Sequence, residues 1–138
     1  MMYSVDMIHN TVRNVSMENK LMERWLDYTN QHNKLEKKLE NTLKRKVNLS
    51  LNEYYVLYYL GKTPSHCIKL IDISKYFNLS QSAMSRMMVR MESEDYGMIE
   101  RTTCLDDKRG IYIHLTKKGK NMLIEAERYI EIILNERL

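Results

Sequence analysis

The most specific chemistry in this 138-residue sequence lies in a ten-residue stretch holding Gln81, Ser82, Ser85, Arg86 and Arg90. A helix places these residues and Val89 on one side, with Ala83, Met84, Met87, Met88 and Met91 on the other. Gln81 can pair with an adenine edge, Arg86 with a guanine edge, and Ser82 or Ser85 with a base or a phosphate, whereas Arg90, one turn later, is better placed for the DNA backbone. No carboxylate interrupts the polar side before Glu92. An ordinary soluble helix with a polar outer face would have the same composition, so the helix alone does not distinguish DNA from water.

A second group, Asp107, Lys108 and Arg109, falls at the tip of an expected β-hairpin. An arginine inserted into a minor groove is favoured by the negative potential there. Asp107, two residues before Arg109, can hold that guanidinium extended, a contact worth at most about 1 kcal/mol when exposed. Residues 99–120 carry six basic and three acidic side chains, with Arg101, Lys117, Lys118 and Lys120 adding to the tip. A basic hairpin beside a polar helix shifts the balance towards double-stranded DNA.

The rest of the sequence offers little other chemistry. His9, His32, His66 and His114 are scattered, with no metal-ligand spacing, and no glycine-rich phosphate loop is present. No catalytic residues, metal or cofactor are therefore expected. Cys67 and Cys104 suit neither a zinc site nor a disulfide framework and read as ordinary thiols, with redox sensing as the alternative. Trp25, Tyr28, Tyr54, Tyr55, Tyr58 and Tyr59 recur at helical spacing and could form plain core or line a cleft for a small lipophilic or phenolic ligand.

These groups need a scaffold. The chain is long enough for one domain with one core, and its apolar fraction of 43% with only four glycines and one proline favours helices. A net charge of +4 permits a nucleic-acid partner without demanding one. No apolar run reaches the roughly 18 residues of a membrane span, and the first residues do not resemble a secretory signal, so a cytoplasmic location is expected.

Periodic Leu21, Met22, Trp25, Leu26, Tyr28, Leu35, Leu39 and Leu43 predict a helix over about 17–45. At roughly 45 Å it would be longer than this core needs, which suggests packing on a second chain. Ser50 with Glu53 three residues later forms a capping box for a second helix, with Leu49 as a possible staple; Gly61 is expected to close that helix and Pro64 to prevent its continuation. Residues 65–69 form a connector with room for a short strand. A third helix is expected over 71–77, with Ile73 and Phe77 inward, then a turn, a helix capped by Ser80, strands at 99–104 and 110–115, and a last helix capped by Thr116. Met122, Ala126, Tyr129, Ile130 and Ile133 are its expected apolar stripe. The fold class is mainly α with a small β-hairpin wing, a winged helix-turn-helix whose long terminal helices form a dimerisation region.

Residues 34–124 resemble the MarR family of bacterial winged-helix regulators, including its staphylococcal SarA-type relatives. The matching stretches are LSLNEYYVLYYL, IDISKYFNLSQSAMSRMMVRME and GMIERTTCLDDKRGIYIHLTKKGK. The resemblance implies a homodimer binding palindromic DNA, with Ser82, Ser85, Arg86 and Arg90 on the recognition helix and Asp107 and Arg109 on the wing. It further implies dimerisation helices at 16–46 and 116–138 and a DNA-binding region at 47–115, while residues 1–15, with weak periodicity, are expected to be a flexible N-terminal arm. Modulation by a small phenolic or lipophilic ligand is a common family property. Two departures stand out: MESEDYGMIE is about two residues longer than the usual form, and 116–138 holds one helix rather than two. The competing function is a winged-helix protein-interaction or antagonist module without specific DNA reading. Repressor or activator action depends on where the operator lies relative to the promoter.

Overall fold

The computed structural model describes residues 20–103 and 110–137. The expected arm at 1–15, together with Cys104, Asp107, Lys108 and Arg109, lies outside the described residues. The chain divides into two compact units, residues 1–38 and 39–138.

Helix α1, Lys20–Val47, contributes to both units. In the first unit its apolar side chains are open to solvent: Leu21 is 73% exposed, Trp25 58% and Tyr28 66%. Trp25 and Tyr28 stack at 6.2 Å. Its last turns, in the second unit, are different in kind, for Leu39, Leu43 and Val47 are buried.

The second unit is built on the elements the sequence announces. Helix α2, Leu51–Lys62, starts with the capping box: Glu53 N–H donates to Ser50 Oγ at 3.0 Å, and Ser50 N–H donates to Glu53 Oε1 at 2.8 Å. These bonds satisfy two backbone donors that helix geometry leaves without partners. Val56, Leu57 and Leu60 make it the central core helix. Gly61 does not close it, contrary to expectation. Helix α2 runs one residue further and ends at Thr63, whose N–H donates to Leu60 O at 3.2 Å. Gly61 instead gives Leu123 a place to pack, since a Cβ there would collide with the leucine methyl.

Strand β1, Cys67–Lys69, precedes helix α3, Leu70–Ser74, which is shorter than the expected 71–77 helix. Lys75, Tyr76 and Phe77 continue the chain through N–H bonds to carbonyls three residues back, at 3.1 to 3.3 Å, a tighter winding than α. Ile73 is buried and Phe77 half-buried, as their spacing predicts. Helix α4, Gln81–Glu92, follows the turn, with Met84, Met88 and Met91 buried.

Strands β2, Ile99–Thr103, and β3, Ile111–Leu115, form the antiparallel wing, and β1 adds to its other side, giving the order β1-β3-β2. Ile99 pairs with Leu115 and Thr103 with Ile111; Cys67 pairs with His114. Helix α5, Lys117–Arg137, begins where Gly119 N–H donates to Thr116 Oγ1 at 3.0 Å, the predicted cap. Its buried stripe is Gly119, Leu123, Ala126, Ile130 and Ile133. Leu123 replaces the expected Met122 because α5 packs on α2, where Gly61 leaves room for it; Met122 and Tyr129 are half-buried beside the stripe.

Candidate nucleic-acid interface

Helix α4 is set by its own cap: Ala83 N–H donates to Ser80 Oγ at 3.1 Å. The three buried methionines fix its rotation, which leaves Gln81, Ser82, Ser85, Arg86, Val89 and Arg90 on the exposed side. Arg86 is exposed and forms no ion pair with another described residue. The turn before the helix is braced by aromatic rings: Tyr59 of α2 stacks on Tyr76 at 4.3 Å and meets Phe77 edge-on at 6.1 Å.

Arg90 and Arg101, both counted among free positive charges from sequence, are engaged within the protein. Arg90 Nε lies 3.2 Å from Glu53 Oε2, and its Nη2 donates to the Tyr96 hydroxyl at 2.7 Å. Its guanidinium also sits 5.0 Å from the Tyr96 ring centre, within cation–π range. The Tyr96 bond, reinforced by Glu53, raises the Arg90 pKa above the usual arginine value. Arg101 Nε donates to both carboxylate oxygens of Glu92 at 3.0 and 2.9 Å, and this bonding raises its pKa likewise. The C-terminal half of α4 is therefore tied to α2 on one side and to the wing on the other.

Sequence reasoning missed Glu53 and Tyr96 as members of this arrangement. Glu53 was legible as a capping residue, but nothing local pairs it with an arginine 37 positions on. Tyr96 belongs to the lengthened MESEDYG segment, whose extra length was the only signal. That segment closes through Gly97, at φ +53°, where Gly97 N–H donates to Ser93 O at 2.6 Å.

The six candidate ligand-cleft aromatics have separate settings. Trp25 and Tyr28 border an open groove in the first unit with Leu21 and Arg24. In the second unit Tyr54 is buried, Tyr59 half-buried, and Tyr55 and Tyr58 exposed, with Lys62 lying over the Tyr58 and Tyr59 rings at 5.5 and 5.6 Å. A concavity of about 600 Å³ does exist elsewhere, bordered by Leu70, Ile71, Leu79, Met84 and the exposed α4 residues Gln81 and Ser85, but by none of the six aromatics. Cys67 is half-buried, with its Sγ 3.6 Å from His114 Nε2, which also meets Thr102 Oγ1 at 2.5 Å. Among the described residues no group of three or more His, Cys, Asp or Glu side chains could hold a metal, and no helix is long and apolar enough to cross a membrane.

A family model described as transcriptional regulator SarA/Rot matches residues 38–126, the span from the last turns of α1 through about the first half of α5. The chain belongs to the SarA/Rot family of transcriptional regulators. A SarA/Rot protein is a regulator and not an enzyme. Three solved structures illustrate the shared winged helix-turn-helix of MarR-type proteins. A MarR family transcriptional regulator from Streptomyces coelicolor, in complex with DNA, is 25% identical, with 85% of this chain and 74% of that chain covered and a TM-score of 0.72. AbsC, a MarR family regulator from the same organism, is 22% identical over 83% and 76% of the chains, with a TM-score of 0.76. A mutant MarR from E. coli, complexed with operator DNA, is 22% identical over 86% and 81%, with a TM-score of 0.67. A comparison with curated proteins finds no match.

Proposed function

We propose that this SarA/Rot protein is a cytoplasmic, sequence-specific DNA-binding regulator that reads a palindromic operator as a homodimer. The observation that carries this function is the exposed, carboxylate-free face of α4, with Gln81, Ser82, Ser85 and Arg86, which has no ion pair among the described residues, at its N-terminal half. That half of a recognition helix is the part that meets base edges in the major groove. Asp107, Lys108 and Arg109 serve as the wing contact, with Arg109 in the adjacent minor groove and Asp107 orienting it.

A single recognition helix touches too few base pairs for genomic selectivity, whereas a twofold pair reads two half-sites about one helical turn apart. Dimerisation through 16–46 and 116–138 supplies that symmetry, and the exposed Leu21, Met22, Trp25 and Leu26 are the side chains it would cover. Repression follows where the operator overlaps a promoter. Modulation by a small lipophilic or phenolic ligand rests on the family resemblance.

One observation favours the second function, an antagonist module that binds protein rather than specific DNA: Arg90 and Arg101 are both neutralised internally, which lowers the free positive charge of the face. Selection from a randomised duplex library separates the two. Enrichment of a palindrome supports the regulator, and enrichment of no motif supports the antagonist.

A further inference from the structure

Glu53 is the one charged side chain buried in the described core, at 2% exposure. A buried carboxylate is costly unless both oxygens are satisfied. Here one oxygen accepts the Ser50 N–H of the capping box and the other pairs with Arg90. Tyr96 completes the cluster. Its hydroxyl accepts from Arg90 and, at 3.0 Å, from Asn48 Nδ2. Asn48 sits at the junction of α1 and α2 with φ +55°. Four residues from three separate parts of the sequence thus meet at the C-terminal end of the recognition helix. Every one of them lies in the second compact unit.

We infer that Arg90 is a positioning residue, which through Glu53 and Tyr96 fixes the tilt of α4 against the α1–α2 junction, and is not a phosphate contact. Its side chain keeps a geometry set by three contacts with two partners, Glu53 and Tyr96, so moving it to a phosphate would break the Glu53 pair and leave a buried carboxylate uncompensated. Tyr96 gives the lengthened 93–97 segment its purpose: the segment carries a ring and a hydroxyl back to the helix it follows. The other tie, Glu92 to Arg101, holds the same end of α4 to the wing. Rotation of α4 would displace Gln81, Ser85 and Arg86 together, so the latch controls discrimination between base sequences rather than general attraction to DNA.

The inference rests on the proposed DNA-reading function, and the test separates the two. Wild type, Arg90→Ala, Tyr96→Phe and the double variant are compared as full-length protein in two measurements. The first, without DNA, is hydrogen exchange of backbone amides over 88–97. The latch predicts faster exchange there in both single variants; unchanged exchange in both would overturn it. Tyr96→Phe removes a single hydroxyl, so the comparison does not depend on Arg90→Ala folding normally.

The second measurement is binding to a selected operator and to random duplex over a salt series. Arg90→Ala is expected to lower the operator-to-random ratio by about tenfold with the salt slope unchanged, and Tyr96→Phe to lower it less. The double variant should be no worse than Arg90→Ala alone, as expected for residues acting through one contact. A salt slope reduced by about one, with additive losses, would identify Arg90 as a phosphate contact and overturn the inference. Failure of the wild type to prefer any operator would refute the proposed function, and the exchange measurement would still decide the latch.

Discussion

Glu92 on the last turn of the recognition helix and Arg101 on the first wing strand form a bidentate ion pair, with the guanidinium Nε shared between both carboxylate oxygens and Nη2 reaching one of them. Both side chains are at least two-thirds buried. The pair fixes the wing relative to the helix, so the two elements move as one.

Arg101→Ala is accordingly expected to lower stability by about 1 kcal/mol, the upper range for a well-oriented pair that is not fully buried. Urea denaturation should show a lower midpoint with the same slope. Since the arginine is already neutralised, the salt dependence of DNA binding should be unchanged. A loss of about one from the salt slope would mean that Arg101 reaches phosphate instead.

Two helical glycines should respond to alanine in unequal ways. At Gly119 a Cβ would overlap the Met98 carbonyl, which belongs to the backbone and cannot rotate away. Gly119→Ala is expected to cost about 2 to 3 kcal/mol through overpacking. At Gly61 the obstacle is the end of the Leu123 side chain, which can shift, and alanine gains about 1 kcal/mol in helix propensity. Gly61→Ala should therefore lie within about 1 kcal/mol of wild type. Thermal or urea melts of both variants give the comparison directly.

The capping box gives a third expectation. Ser50→Ala removes the acceptor for the Glu53 N–H and should cost about 1 kcal/mol. Ser50→Thr, which keeps the oxygen, should recover most of it.

Tyr54 links packing to pH. Burial, with Glu127 next in importance, pushes its phenol pKa up from 10.0 to about 12. The unfolded chain loses this proton near pH 10 and the folded chain only near 12, so the stabilisation is complete below pH 10 and is lost as pH rises from 10 to 12. Stability measured over that range should fall more steeply in wild type than in Tyr54→Phe. Equal slopes would show that Tyr54 does not contribute.

Much of this fold is legible in the sequence because its signals are local. Ser50 and Glu53 mark the start of α2, Ser80 that of α4, and Thr116 that of α5, and each cap is formed as read. The spacing of Met84, Met88 and Met91 fixes which side of α4 is buried, and therefore which side is exposed. What the sequence conceals depends on contacts between distant segments. Leu123 and Met122 are equally apolar neighbours, and only the gap above Gly61 selects between them. Arg90 and Arg101 resemble free surface charges until Glu53, Tyr96 and Glu92 are placed beside them.

Sequence reading by α4 is tested most directly by fluorescence anisotropy on a library-selected operator and on random duplex, from about 50 to 200 mM salt, with wild type and Arg86→Ala. The wild type should prefer the operator by roughly a thousandfold or more. Arg86→Ala should lose about 1 to 3 kcal/mol on the operator and little on random duplex. Equal affinity for both duplexes, driven by salt alone and indifferent to Arg86, would contradict specific reading by this helix.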